Sequence, residues 1–442
     1  MQSRDIIVAP ATALGGAIAV IRMSGEGSVA LCDRIFKGRK PLSEAKSHTI
    51  HYGTICDGER VVDDVVVAVF RAPYSYTGEE SVEISIHGSR YIAAEVFRLL
   101  CEQGAQMASA GEFSQRALAA GRIDLSQAEA VADLIAAESR AAHAVAATQM
   151  RGGYSALLDE LREELLNITS LLELELDFSE EDVEFADRVK LRSMIEKTDN
   201  AVVRLMESFK VGNAIREGVT VAIVGRPNVG KSTLLNRLVG DDRAMVSDIA
   251  GTTRDTIEAT RIIDGIRFRF IDTAGMHSTE DQLEQMGIER TRRAMSNAHI
   301  VLHVASAEHP QFEDVEIGEE QTYIRIVNKV DKVADTTTEG DNSLLYISAK
   351  EGLNIDLLID KMRAVIPDTS DDVVVTNIRH YDALQQASTA LDMSLNAMRM
   401  NMPTDLLSED IRQVLHHLGE ITGEITSDDI LQSIFSKFCI GK

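Results

Sequence analysis

Apolar positions follow two rhythms along this chain. From Asp5 to about Gly111, short β-branched runs ("DIIVA", "AIAVIRMSG", "VVVAVF", "SVEISIHG") alternate with glycine- and proline-bearing turns, the pattern of strands with a few helices in an α+β domain. No proline then occurs between Pro73 and Pro227, and the stretch from about Ser114 to Lys210 is rich in Ala, Leu and Glu, which predicts long helices. In "LSQAEAVADLI", Ser126 followed by Glu129 reads as a capping box, with Val131, Leu134 and Ile135 as the buried stripe.

Between about Val219 and Pro367 the rhythm becomes strand, loop, helix: "VTVAIVG", "RFRFIDTAG", "AHIVLHVA", "TYIRIVNK" and "LLYISAK" are apolar runs, each ending at glycine or polar residues. That predicts a mostly parallel sheet with helices on both faces. Helical texture returns after Pro367, in a tail too short to bury a sound core alone. The two helical pieces are therefore expected to pack on each other, with the sheet region inserted between them. The expected domains are 1–113 (α+β), 114–215 (helical, first part), 216–368 (inserted α/β domain) and 369–442 (helical, second part). The fold class is multidomain α/β plus α.

At 442 residues and 44% hydrophobic content the chain has material for two or three cores. Its formal charge of -25 argues against broad attachment to nucleic-acid phosphates or anionic lipid, so any RNA contact must be local, and no DNA partner is expected. Twelve acidic residues and one basic residue, Arg162, fall between Asp159 and Asp187, the pattern of a solvated face. Cys32, Cys56, Cys101 and Cys439 lie far apart, without disulfide or zinc spacing. The chain shows neither a secretory pattern nor 18 uninterrupted apolar residues, so a cytoplasmic protein with no membrane partner is expected.

The chemistry concentrates in "GRPNVGKST", Gly225 to Thr233, which follows a predicted strand and opens a predicted helix. Loop amides and a helix start then converge on phosphate oxygens, an arrangement met by Asn228, Val229, Gly230, Lys231, Ser232 and Thr233. Lys231 is expected to neutralise the β- and γ-phosphates and Ser232 to ligate Mg2+. "DTAG" (Asp272, Thr273, Ala274, Gly275) follows another strand and faces the metal shell and γ-phosphate. "NKVD" supplies Asn328, Lys329 and Asp331, whose carboxylate can accept both guanine edge protons, so GTP is expected over ATP. Ser348, Ala349 and Lys350 close the base pocket. Four motifs in order resemble a Ras-like G domain of the GTPase superfamily. The first switch would be "AMVSDIAGTTRD" (Ala244 to Asp255), with Ser247, Asp248, Ile249, Ala250, Gly251, Thr252 and Thr253 at the nucleotide and Thr253 completing the Mg2+ shell. Met276 stands where many such proteins carry a water-orienting glutamine. Asn228 either braces the loop or, with switch carbonyls, binds a monovalent cation that stands in for an arginine finger.

With "PYSYTGEESVEISIHG", "GEFSQRALAAGRIDLSQAEAVADLI", "DIAGTTRDT", "DTAGMHSTEDQLEQMGIER" and the terminal "FCIGK" added, the whole chain resembles the bacterial tRNA-modification GTPases of the MnmE (TrmE) family. The resemblance implies an N-terminal tetrahydrofolate-binding and dimerisation domain, a helical domain split in sequence and the G domain inserted in it. It implies K+ held by Asn228, Ser247, Ile249 and Thr252, Mg2+ held by Ser232 and Thr253, and Glu284 as the catalytic glutamate acting through a second water. Without the family, Glu284 would read as an exposed helix carboxylate. The folate site (5-formyl or 5,10-methylene form) would fall on Arg22, Glu83, Arg122 and Lys442, although Arg122 stands where lysine is common and "ATALGG" lacks the family's arginine. Cys439 in the tail would matter for function; read alone it is a buried cysteine at a helix end.

The activity implied is that of a potassium-activated GTP hydrolase. With the FAD-dependent partner MnmG, in a heterotetramer-type complex, it would add an aminomethyl or carboxymethylaminomethyl group to C5 of wobble uridine in certain tRNAs. The molecule would be a homodimer whose G domains meet as GTP is hydrolysed. Two other readings remain open: an RNA-binding GTPase switch of the ribosome-assembly type, and a folate-dependent aminomethyltransferase with a vestigial G domain.

Overall fold

The computed structural model describes residues 5–177, 188–240, 258–272, 295–319, 321–333, 343–367, 373–400, 402–436, 438 and 441. Contacts divide the chain into two compact units, Met1–Ala132 with Ser155–Asp159 and His416–Lys442, and Asp133–Tyr154 with Glu160–Leu415.

The first unit is built on a seven-stranded sheet of β1 (Ile7–Pro10), β2 (Ile18–Ser24), β3 (Phe36–Gly38), β4 (Thr49–Asp57), β5 (Arg60–Phe70), β6 (Ser81–His87) and β7 (Gln106–Met107). Its order is β3-β4-β5-β6-β2-β1-β7, antiparallel throughout except for the β1–β7 pair. Successive strand residues face opposite ways, so Val65, Val67 and Val69 of β5 enter the core with Ile21, Met23, Val82 and Ile84. Helices α1 (Ser28–Asp33) and α2 (Arg90–Glu102) cover that face through Val29, Leu31, Ala93, Val96, Leu99 and Leu100. The opposite face leaves Ile18, Ile50, Tyr52 and Val66 exposed.

Helix α3 (Glu112–Ala119) follows, then α4 (Leu125–Ala136). The cap of α4 differs from the sequence expectation. Asp124 accepts from the Gln127 amide at 2.9 Å while the Gln127 side chain accepts from the Asp124 amide at 2.9 Å, so the box is Asp124–Gln127 and not Ser126–Glu129. Ser126 instead donates to Asp124. The helix thus starts two residues early, which turns Leu125, Ala128 and Ala130 inward, whereas Val131 and Leu134 are half-buried and Ile135 is exposed. Leu125 and Ala128 pack with Phe435 of α12 (Asp428–Phe435), the last of the helices introduced below.

The second unit carries the predicted strand–loop–helix alternation. β8 (Val219–Val224), β9 (Glu258–Ile263), β10 (Ile266–Asp272), β11 (Ile300–Ser306), β12 (Thr322–Asn328) and β13 (Leu344–Tyr346) form a sheet of order β13-β12-β11-β8-β10-β9. It is parallel except for β9, which pairs antiparallel with β10 through a tight turn at Asp264 and Gly265, both at positive φ. β8 is buried along its whole length, which is why its sequence is an unbroken apolar run with one threonine. Helices α8 (Lys231–Val239) and α9 (Ile355–Arg363) bury Leu234, Leu235, Leu238, Leu358 and Met362 against the sheet.

The remaining helices are α5 (Arg140–Met150), α6 (Gly153–Asp177), α7 (Arg188–Glu217), α10 (Ile378–Arg399) and α11 (Thr404–Thr422). α7, before the sheet in sequence, packs on α10, after it. Phe209 stacks on Tyr381 with ring centroids 4.8 Å apart. Gly212 admits the chain just before α10, because a Cβ there would lie 2.2 Å from the Val375 carbonyl oxygen. Buried Gln149 of α5 donates to the Val374 carbonyl at 2.9 Å.

Candidate functional site: a phosphate loop braced by the base-recognition motifs

The loop between β8 and α8 is shaped by three residues in or near left-handed backbone: Gly225 (φ 140°), Asn228 (φ 64°) and Gly230 (φ 101°). A side chain at Gly225 would meet the Val304 carbonyl oxygen at 2.1 Å, and one at Gly230 would meet Asn328 Nδ2 at 2.4 Å. Both glycines are required by close approach as well as by φ, and the cradle stays bare backbone facing outward. Lys231 is buried and its ammonium donates to the Gly225 and Arg226 carbonyls at 2.7 and 2.9 Å. Ser232 and Thr233 are exposed at the first turn of α8, where free helix amides favour an anion.

Asn328 ends β12 and is buried. Its Nδ2 donates to the Val229 carbonyl at 2.9 Å and its Oδ1 accepts from the Ala349 amide at 2.9 Å, joining the phosphate loop, "NKVD" and "SAK" through one side chain. Lys329, at φ 66°, donates to the Asn228 carbonyl. That contact engages the Asn228 backbone and not its side chain, on which the two readings of this residue turn.

Asp331 accepts a 2.5 Å hydrogen bond from the Ser348 hydroxyl. That bond, set against a smaller desolvation effect and helped by Lys350 and Lys332, holds its carboxyl below the usual carboxylate range. An ionised Asp331 offers only acceptors, as the guanine N1–H and amino edge requires. Sequence reasoning missed Arg237. From α8 it donates to the Ala349 and Lys350 carbonyls at 3.1 and 2.5 Å, fixing the "SAK" loop from behind. An arginine on the polar side of "STLLNRLVG" gave no signal of its own.

The backbone of Asp272 ends β10 in register with Ile223, as expected for "DTAG". The side chain of Asp272, together with Ser247, Asp248, Ile249, Ala250, Gly251, Thr252, Thr253, Thr273, Ala274, Gly275 and Glu284, lies outside the described residues, as do Cys439 and Lys442.

In the first unit Arg22 and Glu83 pair across β2 and β6, with Arg22 Nε to Glu83 Oε1 at 2.9 Å and Nη2 to the same oxygen at 2.8 Å. The Arg22 guanidinium lies 5.8 Å from the Tyr76 ring centroid and 5.9 Å from that of Phe113. It also reaches the Gly441 carbonyl at 3.4 Å. Gly441 (φ 100°) packs so closely on Pro10 that a Cβ would sit 2.1 Å from its carbonyl oxygen. Arg122 is exposed, its stem over Gly78. Among the described residues, one group brings three metal-ligating side chains together: His416, His417 and Glu420, successive ion-pair partners on α11.

A central parallel strand feeding a glycine-bounded phosphate loop, with a carboxylate and a serine at the ends of the next strands, defines a GTP hydrolase of the Ras-like class. The profile described as the GTP-binding protein TrmE N-terminus matches residues 6–122, and that of the MnmE helical domain matches 125–439. The chain is 48% identical over 465 residues to the tRNA modification GTPase MnmE of Bacteroides thetaiotaomicron, covering 100% of each. It is 48% identical over 451 residues to that of Cytophaga hutchinsonii (99% of this chain, 98% of the relative) and 45% identical over 462 residues to that of Flavobacterium psychrophilum (100% of each). This chain belongs to the MnmE family of tRNA modification GTPases. No helix among the described residues is long and apolar enough to cross a membrane.

Proposed function

We propose that this protein is a potassium-activated GTP hydrolase that, with the FAD-dependent partner MnmG, adds an aminomethyl or carboxymethylaminomethyl group to C5 of wobble uridine in certain tRNAs. The carrying observation is a pocket in which one buried side chain, Asn328, ties phosphate loop to base loop, in a chain aligned end to end with tRNA modification GTPases. Lys231 and the α8 amides would hold the phosphates and Asp331 the guanine. Ser232 and Thr253 would hold Mg2+, and Asn228, Ser247, Ile249 and Thr252 would hold K+, which supplies positive charge opposite the developing negative charge of hydrolysis. Glu284 would orient the attacking water through a second one.

Tetrahydrofolate would bind beside Arg22 and Glu83, with Arg122 and the C-terminal Lys442. The fit is chemical: a partly buried carboxylate and guanidinium between two aromatic rings offer an acceptor for an aminopterin edge and a cation for a carboxylate. The exposed apolar row Ile18, Ile50, Tyr52 and Val66 on the outer sheet face supports a homodimer through this unit. The domains expected from sequence, 1–113, 114–215, 216–368 and 369–442, remain part of this reading, with G-domain pairing as the motion that couples hydrolysis to the remote one-carbon site.

Mass spectrometry of wobble uridines from cells with and without this protein tests the modification. GTP turnover in K+ against Na+ tests the cation. Unchanged uridines, or equal turnover in the two salts, would overturn the corresponding part. A ribosome-assembly switch predicts unchanged uridines with intact GTP turnover.

A further inference from the structure

A chain with a charge of -25 that acts on tRNA must gather cations somewhere, and one short stretch does so. Between Asp33 and Lys46 lie five cations, Arg34, Lys37, Arg39, Lys40 and Lys46, against two carboxylates, Asp33 and Glu44. All five cations are exposed. Asp33 is turned inward to accept from the Leu42 and Ser43 amides at 2.7 and 3.1 Å, which folds the connection after β3 into a compact turn. Arg34 and Lys37 donate to the Gln103 and Gly58 carbonyls at 3.4 and 2.9 Å, contacts that hold their heads without cancelling charge. Across the sheet Lys37 faces Thr54 of β4 and then Asp64 of β5, while Asp57, at the end of β4 beside Gly58, is already paired with Arg60 and Arg98.

We infer that this rim, the β3 edge and the turn that follows it, is where the protein grips the phosphate backbone of its tRNA substrate. The inference rests on the tRNA reading proposed above. Position supports it as well as charge. Glu83 lies on β6, three strands from β3, or about 14 Å at the usual strand spacing. That spacing sets the rim and the Arg22–Glu83 pair within reach of one stem-loop, without requiring the RNA to lie over the apolar row Ile18, Ile50, Tyr52 and Val66 assigned above to the homodimer. Edge strands often carry a lysine to block pairing with another sheet, and Lys37 suffices for that on a strand of three residues. It leaves Arg39, Lys40 and Lys46, which stand beyond the strand, without a purpose. A local cation cluster also reconciles an acidic protein with an RNA substrate, because counterion release depends on the phosphates contacted and not on net charge.

The test uses the full-length chain carrying Arg39→Glu, Lys40→Glu and Lys46→Glu together, with a charge-reversal control at Lys190 and Arg192 on α7. Binding of a fluorescent tRNA transcript with an unmodified wobble uridine is followed from about 50 to about 200 mM salt. The rim variant is expected to bind at least about tenfold more weakly, with a salt slope shallower by about 2 to 3 for three lost phosphate contacts, while the control matches wild type and GTP turnover is kept by all. Equal affinity and slope in the rim variant overturn the inference, as does loss of the flavoprotein partner's binding with tRNA binding unchanged. Wobble-uridine modification separates the two levels. A rim variant that still modifies tRNA at the wild-type rate removes this surface and leaves the proposed function standing, whereas a wild-type protein that neither binds nor modifies tRNA removes both.

Discussion

Asn328 donates to the Val229 carbonyl at 2.9 Å, so the residue that announces the base-recognition motif also fastens the phosphate loop. Its other amide atom accepts from Ala349 at 2.9 Å. Asn328→Ala would leave two backbone groups unpaired in a buried place, each costing about 1 to 3 kcal/mol. The expected result is a lower melting temperature and GTP binding weakened by more than about tenfold, read by thermal unfolding and nucleotide titration. Asn328→Asp keeps the acceptor for Ala349 but sets a carboxylate against the Val229 oxygen, so it should not rescue.

Gly230→Ala drives a methyl group to 2.4 Å from Asn328 Nδ2 at a backbone φ of 101°. Gly225→Ala drives one to 2.1 Å from the Val304 oxygen at φ 140°. Either loop must shift, and GTP affinity should fall steeply in both variants. Gly352, whose nearest neighbour would be the Arg237 guanidinium carbon at 3.7 Å, has room for a Cβ but sits at φ 82°, so Gly352→Ala should cost stability and leave affinity nearly intact.

Because Ser348 holds the Asp331 carboxyl below its ordinary range, the ionised form is favoured and persists into acid. GTP affinity should therefore show no Asp331 titration as pH falls from neutral to 5. Ser348→Ala should weaken GTP binding and bring such a titration toward the ordinary carboxylate range. Asp331→Asn replaces an acceptor by an amide that can donate, so preference should move from guanosine to xanthosine triphosphate in competition binding.

His299 accepts from the Thr220 amide through Nδ1 at 3.1 Å, at the foot of β8. Burial, with Lys210 and Arg269 nearby, pushes its pKa below the ordinary value of 6.5. Burial does the same to His303 of β11, Glu313 opposing and Arg325 assisting. A depressed folded pKa means that the unfolded chain binds the proton more readily. The stability these residues lend is thus complete above about 6.5 and drains as pH falls below it toward the folded values. The melting temperature should be lower at pH 5.5 than at 7.5, and His299→Asn, which keeps an acceptor without the titration, should reduce that difference.

The pocket was legible in outline because each of its motifs sits at a strand end, where the apolar run stops and a polar set begins. "VTVAIVG" and "TYIRIVNK" announce β8 and β12 by composition alone, and their order in the chain fixes a parallel sheet. The start of α4 was misread for a local reason. Ser126-x-x-Glu129 and Asp124-x-x-Gln127 are both acceptable boxes, and burial of Leu125 against Phe435, over 300 residues away, selects the second and turns Ile135 outward.

By itself the sequence determined where the loops that carry the phosphate and guanine motifs begin, since each motif is a few residues long and follows an apolar run that becomes a strand. Only the tertiary structure decided who supports them. It made Asn328 a brace, recruited Arg237 behind the "SAK" loop and paired Arg22 with Glu83. Those relations join residues tens to hundreds of positions apart, and local pattern carries no record of them, because each partner alone is an ordinary polar residue. The packed backbone brings such partners within hydrogen-bonding range, and there a buried amide or carbonyl left alone costs more than the bond that answers it.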